Sequence, residues 1–126
     1  MVYLDNNATT PLDPRVAEAM ARFLRDHFGN PSSLYPLGRE CRDMMTDARE
    51  VVAGALGAHR SEVVFTASGT EADNFAVFGV MEAHPEKDEF ITSAIEHPAI
   101  LESAKFLEKK GFKVTYLPVD ETGVVS

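Results

Sequence analysis

From Glu62 onward, short β-branched or aromatic runs alternate with helix-length amphipathic runs, and a turn-forming residue punctuates each junction. No other feature constrains the fold as much. Val63-Val64-Phe65-Thr66 predicts a strand, and Ala67-Ser68-Gly69 a turn. Thr70 to Met81 has helical spacing, with Phe75, Ala76, Phe78 and Gly79 toward a packing surface. Phe90-Ile91-Thr92 predicts a second strand. Pro98 to Lys110 predicts a helix with Ile100, Leu101, Ala104 and Leu107 inward, closed by Gly111. Lys113 to Leu117 predicts a third strand. The order β-α-β-α-β is that of a parallel sheet with helical crossovers, so the expected class is α/β.

Ahead of this block lie two predicted helices. Residues 1–12 read as an irregular arm, since Asn6-Asn7-Ala8-Thr9-Thr10-Pro11 is turn chemistry. Asp13-Pro14 starts a helix, Asp as N-cap and Pro at the first helical position. Val16, Ala19, Met20, Phe23 and Leu24 then share one face. Gly29-Asn30-Pro31-Ser32-Ser33 ends that helix in a loop. A second helix is expected from Gly38 to Leu56, with Cys41, Met44, Met45, Ala48, Val51, Val52 and Leu56 as its apolar stripe and Gly57 just past its end. Asp120-Glu121-Thr122-Gly123 is a turn, and Ser126 is of N-cap type, where a further helix is expected to begin. The expected organisation is therefore an arm, 1–12, and the first part of a larger domain, 13–126.

Composition narrows the function. The 126 residues carry 12 Lys+Arg against 20 Asp+Glu, a net charge of −8, which argues against direct nucleic-acid binding. Residues 1–60 hold all seven Arg and eight acids, whereas 61–126 hold all five Lys and twelve acids, so the acidic surface lies mostly in the second part. One cysteine excludes an internal disulfide and a Cys-built zinc site, and fits a reducing, cytoplasmic setting. No apolar run is long enough to span a membrane, and the first residues do not read as a signal peptide.

In open parallel sheets, ligands bind beyond the carboxyl ends of the strands. Two loops are expected there. In Thr66-Ala67-Ser68-Gly69-Thr70-Glu71, Gly69 admits close backbone approach, and the first amides of the following helix point outward with two hydroxyls beside them. That is a phosphate cradle, or else a plainly capped helix start. It is no Walker loop, since no Gly-Lys-Ser/Thr follows. In Ala94-Ile95-Glu96-His97-Pro98, His97 is either a cap or, beside an anion cradle, an acid/base group or a ring to stack on a ligand. His27, His59 and His84 are assigned to solvent, Cys41 to the core, and no metal-ligand spacing is seen.

These residues form a familiar set. Tyr3-Leu4-Asp5-Asn6-Asn7-Ala8-Thr9-Thr10-Pro11, Gly29-Asn30-Pro31-Ser32-Ser33, Glu62-Val63-Val64-Phe65-Thr66, Thr70-Glu71-Ala72-Asp73-Asn74, Ile95-Glu96-His97-Pro98-Ala99-Ile100 and the stretch from Gly111 to Asp120 occur in register. Over its whole length the chain resembles the first third of cysteine desulfurases, fold-type I pyridoxal-phosphate (PLP) enzymes of the class V aminotransferase group. The resemblance implies that Gly69 and Thr70 bind the cofactor phosphate. It implies that His97 stacks on the pyridine ring and helps proton transfer, and that Asn7, Ala8 and Thr9 line the substrate pocket. It further implies PLP as cofactor, L-cysteine as substrate, a sulfur-acceptor or scaffold protein as partner, and a homodimer. The activity implied is conversion of L-cysteine to L-alanine with persulfide transfer to iron–sulfur cluster assembly or tRNA thiolation. Selenocysteine lyase, another class V enzyme, or a truncated binding or dimerisation module are the alternatives.

Two departures stand out. The family usually reads Thr-Ser-Gly-x-Thr-Glu where this chain has Thr66-Ala67-Ser68-Gly69-Thr70-Glu71, so the Gly is displaced by one place. Many relatives carry His where Tyr35 stands. The resemblance also places the cofactor Lys, the Asp for the pyridine nitrogen, the Arg for the substrate carboxylate and the sulfur-accepting Cys beyond residue 126. None of Lys87, Lys105, Lys109, Lys110 and Lys113 matches that Lys, nor does Cys41 match that Cys. The 126 residues alone are therefore expected to be inactive.

Overall fold

The structure is a computed structural model and describes residues 2–125. It divides into two compact units, Met1–Val64 and Phe65–Ser126.

In the first unit, α1 spans Pro14–Asp26 and α2 spans Pro36–Leu56. The Asp13 side chain caps α1 by accepting the Arg15 N–H at 2.8 Å. No residue of α1 is buried, and the predicted face of Val16, Met20, Phe23 and Leu24 is exposed. In α2 the buried positions are Gly38, Cys41 and Ala53, whereas Val51 and Leu56 lie open to solvent. Gly57 follows α2 at φ 66°, the left-handed conformation that lets the last turn close. The loop before α2 packs tightly on it: a Cβ on Gly38 would stand 2.5 Å from the Asn30 carbonyl oxygen. A 3-10 turn, Arg60–Glu62, carries a reciprocal cap in which Glu62 Oε2 accepts the His59 N–H at 2.7 Å.

The predicted strand 63–66 is not in a ladder. Val63 has extended backbone (φ −98°, ψ 119°), but an extended segment becomes a strand only when a neighbour supplies donors and acceptors. The ladder among the described residues consists of β1 and β2 alone, Glu89–Ser93 and Lys113–Leu117. His27 is a second correction. It ends α1 with its side chain only 24% exposed, and its Nδ1 lies 3.4 Å from Glu40 Oε1 without a hydrogen bond. His59 and His84 are exposed, as expected.

The second unit runs α3 (Gly69–Ala83), β1 (Glu89–Ser93), α4 (Pro98–Lys109), β2 (Lys113–Leu117). Strands β1 and β2 pair in parallel, Glu89 opposite Lys113 through Ser93 opposite Leu117, with α4 as the crossover. The α/β class is thus observed, as two ladder strands rather than three. Val77, Met81 and Leu107 form the core, with Phe78, Phe90, Ile100, Phe112 and Val114 against it. The inward face of α4 is the predicted one: Ala104 is wholly buried and Leu107 nearly so. The inward face of α3 is the predicted one only at Phe78, which packs on the core. Phe75, Ala76 and Gly79 are exposed, and Val77 and Met81 are buried instead. An apolar run this continuous has residues on every side of the helix, so its period does not select one face.

Candidate active site: the amino ends of two helices

Helix α3 begins at Gly69, with Ser68 as its N-cap. Ser68 Oγ accepts the Glu71 N–H at 3.1 Å, and Glu71 Oε2 accepts the Ala67 N–H at 2.6 Å. This is a capping box shifted by one residue. It leaves the Gly69 and Thr70 amides without a partner among the described residues, at the positive end of a 15-residue helix. A Cβ on Gly69 would meet nothing within 4 Å, so the backbone is open on that side of the helix start.

Helix α4 begins at Pro98, with His97 as its N-cap. The loop to it leaves the end of β1 and is tied at its root, where the Ala94 N–H donates to the Leu117 carbonyl at 2.9 Å. Ser93 Oγ donates to Glu96 Oε1 at 2.9 Å. His97 Nδ1 accepts the Ala99 N–H at 3.1 Å, which leaves Nε2 as the ring's outward nitrogen.

Thr70 and His97 both line one open cavity of about 500 Å³ in the second unit. Asn74, Phe78, Ser103 and Phe106 are among its other walls. Phe78 and Phe106 meet edge to face, ring centroids 5.3 Å apart, and give the cavity an apolar floor. Glu102 is its carboxylate, and the Lys105 ammonium at 2.6 Å holds it below its ordinary pKa. No lysine lines the cavity. Gly69 adjoins it through Thr70 but is not in its wall. Asn7, Ala8 and Thr9 belong to the first unit, exposed on a turn in which the Ala8 N–H donates to the Asp5 carbonyl at 3.1 Å.

Sequence reasoning passed over Asn74 and Ser103. Asn74 follows Thr70 by one helical turn, and Ser103 stands among the inward residues of α4 at 2% exposure. A polar residue on an apolar stripe was the available signal for Ser103. Among the described residues no group of three or more His, Cys, Asp or Glu is placed to hold a metal ion. Among the described residues no helix is long and apolar enough to cross a membrane.

The profile of the aminotransferase class-V family matches residues 2–126. The chain belongs to that family. Within it, the chain is 53% identical over 125 residues to cysteine desulfurase IscS of Dictyoglomus turgidum, covering 98% of this chain and 32% of the relative. It is 48% identical over 126 residues to cysteine desulfurase IscS of Methanosarcina thermophila, covering 99% of this chain and 31% of that protein. Among solved structures, a NifS-like protein aligns at TM-score 0.91 with 48% identity, over 99% of this chain and 35% of the other. A structure described as SspA in complex with cysteine aligns at TM-score 0.89 with 39% identity, over 98% of this chain and 36% of the other. The chain thus spans about a third of the length of the class V relatives it matches.

Proposed function

We propose that these residues form the cofactor-phosphate and ring-stacking part of a PLP-dependent cysteine desulfurase. The observation that carries the reading is that Thr70, on the first turn of α3, and His97, at the start of α4, line one cavity. The donor set fits the cofactor. Two unpartnered amides and the Thr70 hydroxyl at a helix amino end suit a phosphate dianion, and the His97 imidazole suits a flat aromatic ring. When bound, PLP supplies an electron sink for bond breaking at the amino acid. The residues of this chain bind and orient: Gly69 and Thr70 hold the phosphate, and His97 packs on the ring with Nε2 outward to carry a proton.

In the complete protein the C–S bond of L-cysteine breaks. The sulfur passes to a cysteine thiol, giving a persulfide, and the carbon skeleton leaves as L-alanine; the thiol and cysteine together supply every atom of both products. The cysteine bound in the SspA structure supports this substrate. An acceptor or scaffold protein for iron–sulfur cluster assembly or tRNA thiolation takes the persulfide sulfur. The complete protein is a cytoplasmic homodimer in this reading, Asn7, Ala8 and Thr9 border its substrate pocket, and the 126 residues alone are inactive. The test is to load the complete protein with PLP, supply L-cysteine, and measure alanine and protein persulfide. Absence of alanine overturns the reading. Thr70→Val is expected to weaken PLP binding without unfolding the protein.

A further inference from the structure

Three hydrogen bonds and one close oxygen–oxygen approach run from one helix start to the other. Asn74 Nδ2 donates to the Thr70 carbonyl at 2.8 Å. Asn74 Oδ1 accepts from Ser103 Oγ at 2.8 Å. Ser103 Oγ also lies 2.8 Å from the Ala99 carbonyl, and the Ala99 N–H donates to His97 Nδ1. A serine hydroxyl has one proton. The helical ladder gives the Ala99 carbonyl its donor in the Ser103 N–H, so the hydroxyl proton is available to Asn74. The Asn74 amide is then fixed in orientation, because the reverse would set two acceptors, Oδ1 and the Thr70 carbonyl, against each other. Among the described residues, Asn74–Ser103 is the one side-chain hydrogen bond joining α3 to α4. Beside it the two helices meet in the apolar core of Val77, Met81 and Leu107, and burial of apolar area is non-directional.

We propose that Asn74 and Ser103 are positioning residues for the cofactor site: their hydrogen bond holds the first turn of α3 to the first turn of α4 and sets the spacing between the Thr70 amide and the His97 ring. The inference rests on the cofactor reading above. Neither residue reacts. Asn74 acts through Thr70, and Ser103 acts through the α4 backbone, where its N–H donates to the carbonyl of Ala99, the residue whose own N–H caps onto His97. The pair spans 29 positions of sequence, so it couples two loops that no local structure relates.

The test uses the complete protein, stripped of cofactor and titrated with PLP. Ser103→Ala removes the hydroxyl and keeps a helix-favouring residue. It is expected to weaken PLP binding about tenfold, the size of one ordinary hydrogen bond. Asn74→Ala is expected to weaken it at least as much, and the double variant no more than Asn74→Ala alone, since the pair acts as one unit. Amide hydrogen exchange on the cofactor-free protein gives a second reading. Ser103→Ala should speed exchange in the first turns of α3 and α4 and leave the amides of Met81 and Leu107 as protected as before. Unchanged PLP affinity, additive losses, or a general loss of protection each overturn the proposal. A wild-type protein that takes up no PLP overturns the cofactor reading and this proposal with it. The exchange pattern, read without PLP, tells that case from failure of the clamp alone.

Discussion

The imidazole Nδ1 of His97 accepts the N–H of Ala99 at 3.1 Å, so one ring both caps α4 and faces the cavity. These two duties are separable by substitution. His97→Asn keeps a strong N-cap, whereas His97→Ala loses it and should cost about 1 kcal/mol in thermal or denaturant unfolding. Both should abolish whatever the ring contributes to PLP binding and to alanine formation. Equal stability of the two variants would show that the cap contributes nothing. The 15N shifts of His97 should also identify Nε2 as the protonated nitrogen of the neutral ring.

Glycines separate steric need from ligand access. A Cβ at Gly38 meets the Asn30 carbonyl oxygen at 2.5 Å, and one at Gly29 meets the Leu37 carbonyl oxygen at 2.6 Å. Both obstacles are backbone, so Gly38→Ala and Gly29→Ala should each destabilise by roughly 1–3 kcal/mol in chemical unfolding. Gly69→Ala meets nothing within 4 Å and should leave stability unchanged. A loss of PLP affinity in Gly69→Ala at unchanged stability is the expected signature of close cofactor approach.

The turn after β2 should respond to acid. Asp120 accepts from Thr122 Oγ1 at 2.7 Å, and the Thr122 and Val124 N–H groups also donate to it. The Thr122 side chain contributes most to holding this carboxyl below its ordinary value of 3.8. A depressed folded-state pKa stabilises above the unfolded value and loses that contribution as pH falls through the folded one. Lowering the pH below about 3.8 should therefore loosen residues 120–125, read as faster exchange of the Val124 amide. Asp120→Asn should remove that pH dependence.

As an isolated piece, the 126-residue chain should self-associate. Ile91 is 57% exposed, and among the described residues the ladder has two strands with both outer edges open to a further strand. The exposed face of α1 adds apolar area. Sedimentation of residues 1–126 should show concentration-dependent association. A monomer that unfolds cooperatively would contradict this.

What the sequence made legible was local. The Asp13-Pro14 cap, Gly57 past α2, the Pro98 helix and the run Lys113–Leu117 all carry their cause within a few residues. What failed depended on neighbours. Val63–Thr66 has strand composition, yet pairing requires a second strand at its side. Phe75 looks as apolar as Val77, and only the position of the core separates them. Thr70 and His97 were legible as helix-start residues expected at one sheet edge, and both line one cavity; Asn74 and Ser103, hydrogen-bonded between the two helices, were not. No spacing rule connects positions so far apart in the chain.

The bond from the Ala94 N–H to the Leu117 carbonyl carries the β1–β2 ladder one step past Ser93. Only Ile95, Glu96 and His97 remain between that anchor and the rigid start of α4 at Pro98, and Glu96 is itself held by Ser93. The conformational entropy of this segment is thus surrendered when the strands pair, not when a ligand arrives. A molecule entering the cavity finds the imidazole already at its station, and the affinity it gains there is not spent on ordering the loop.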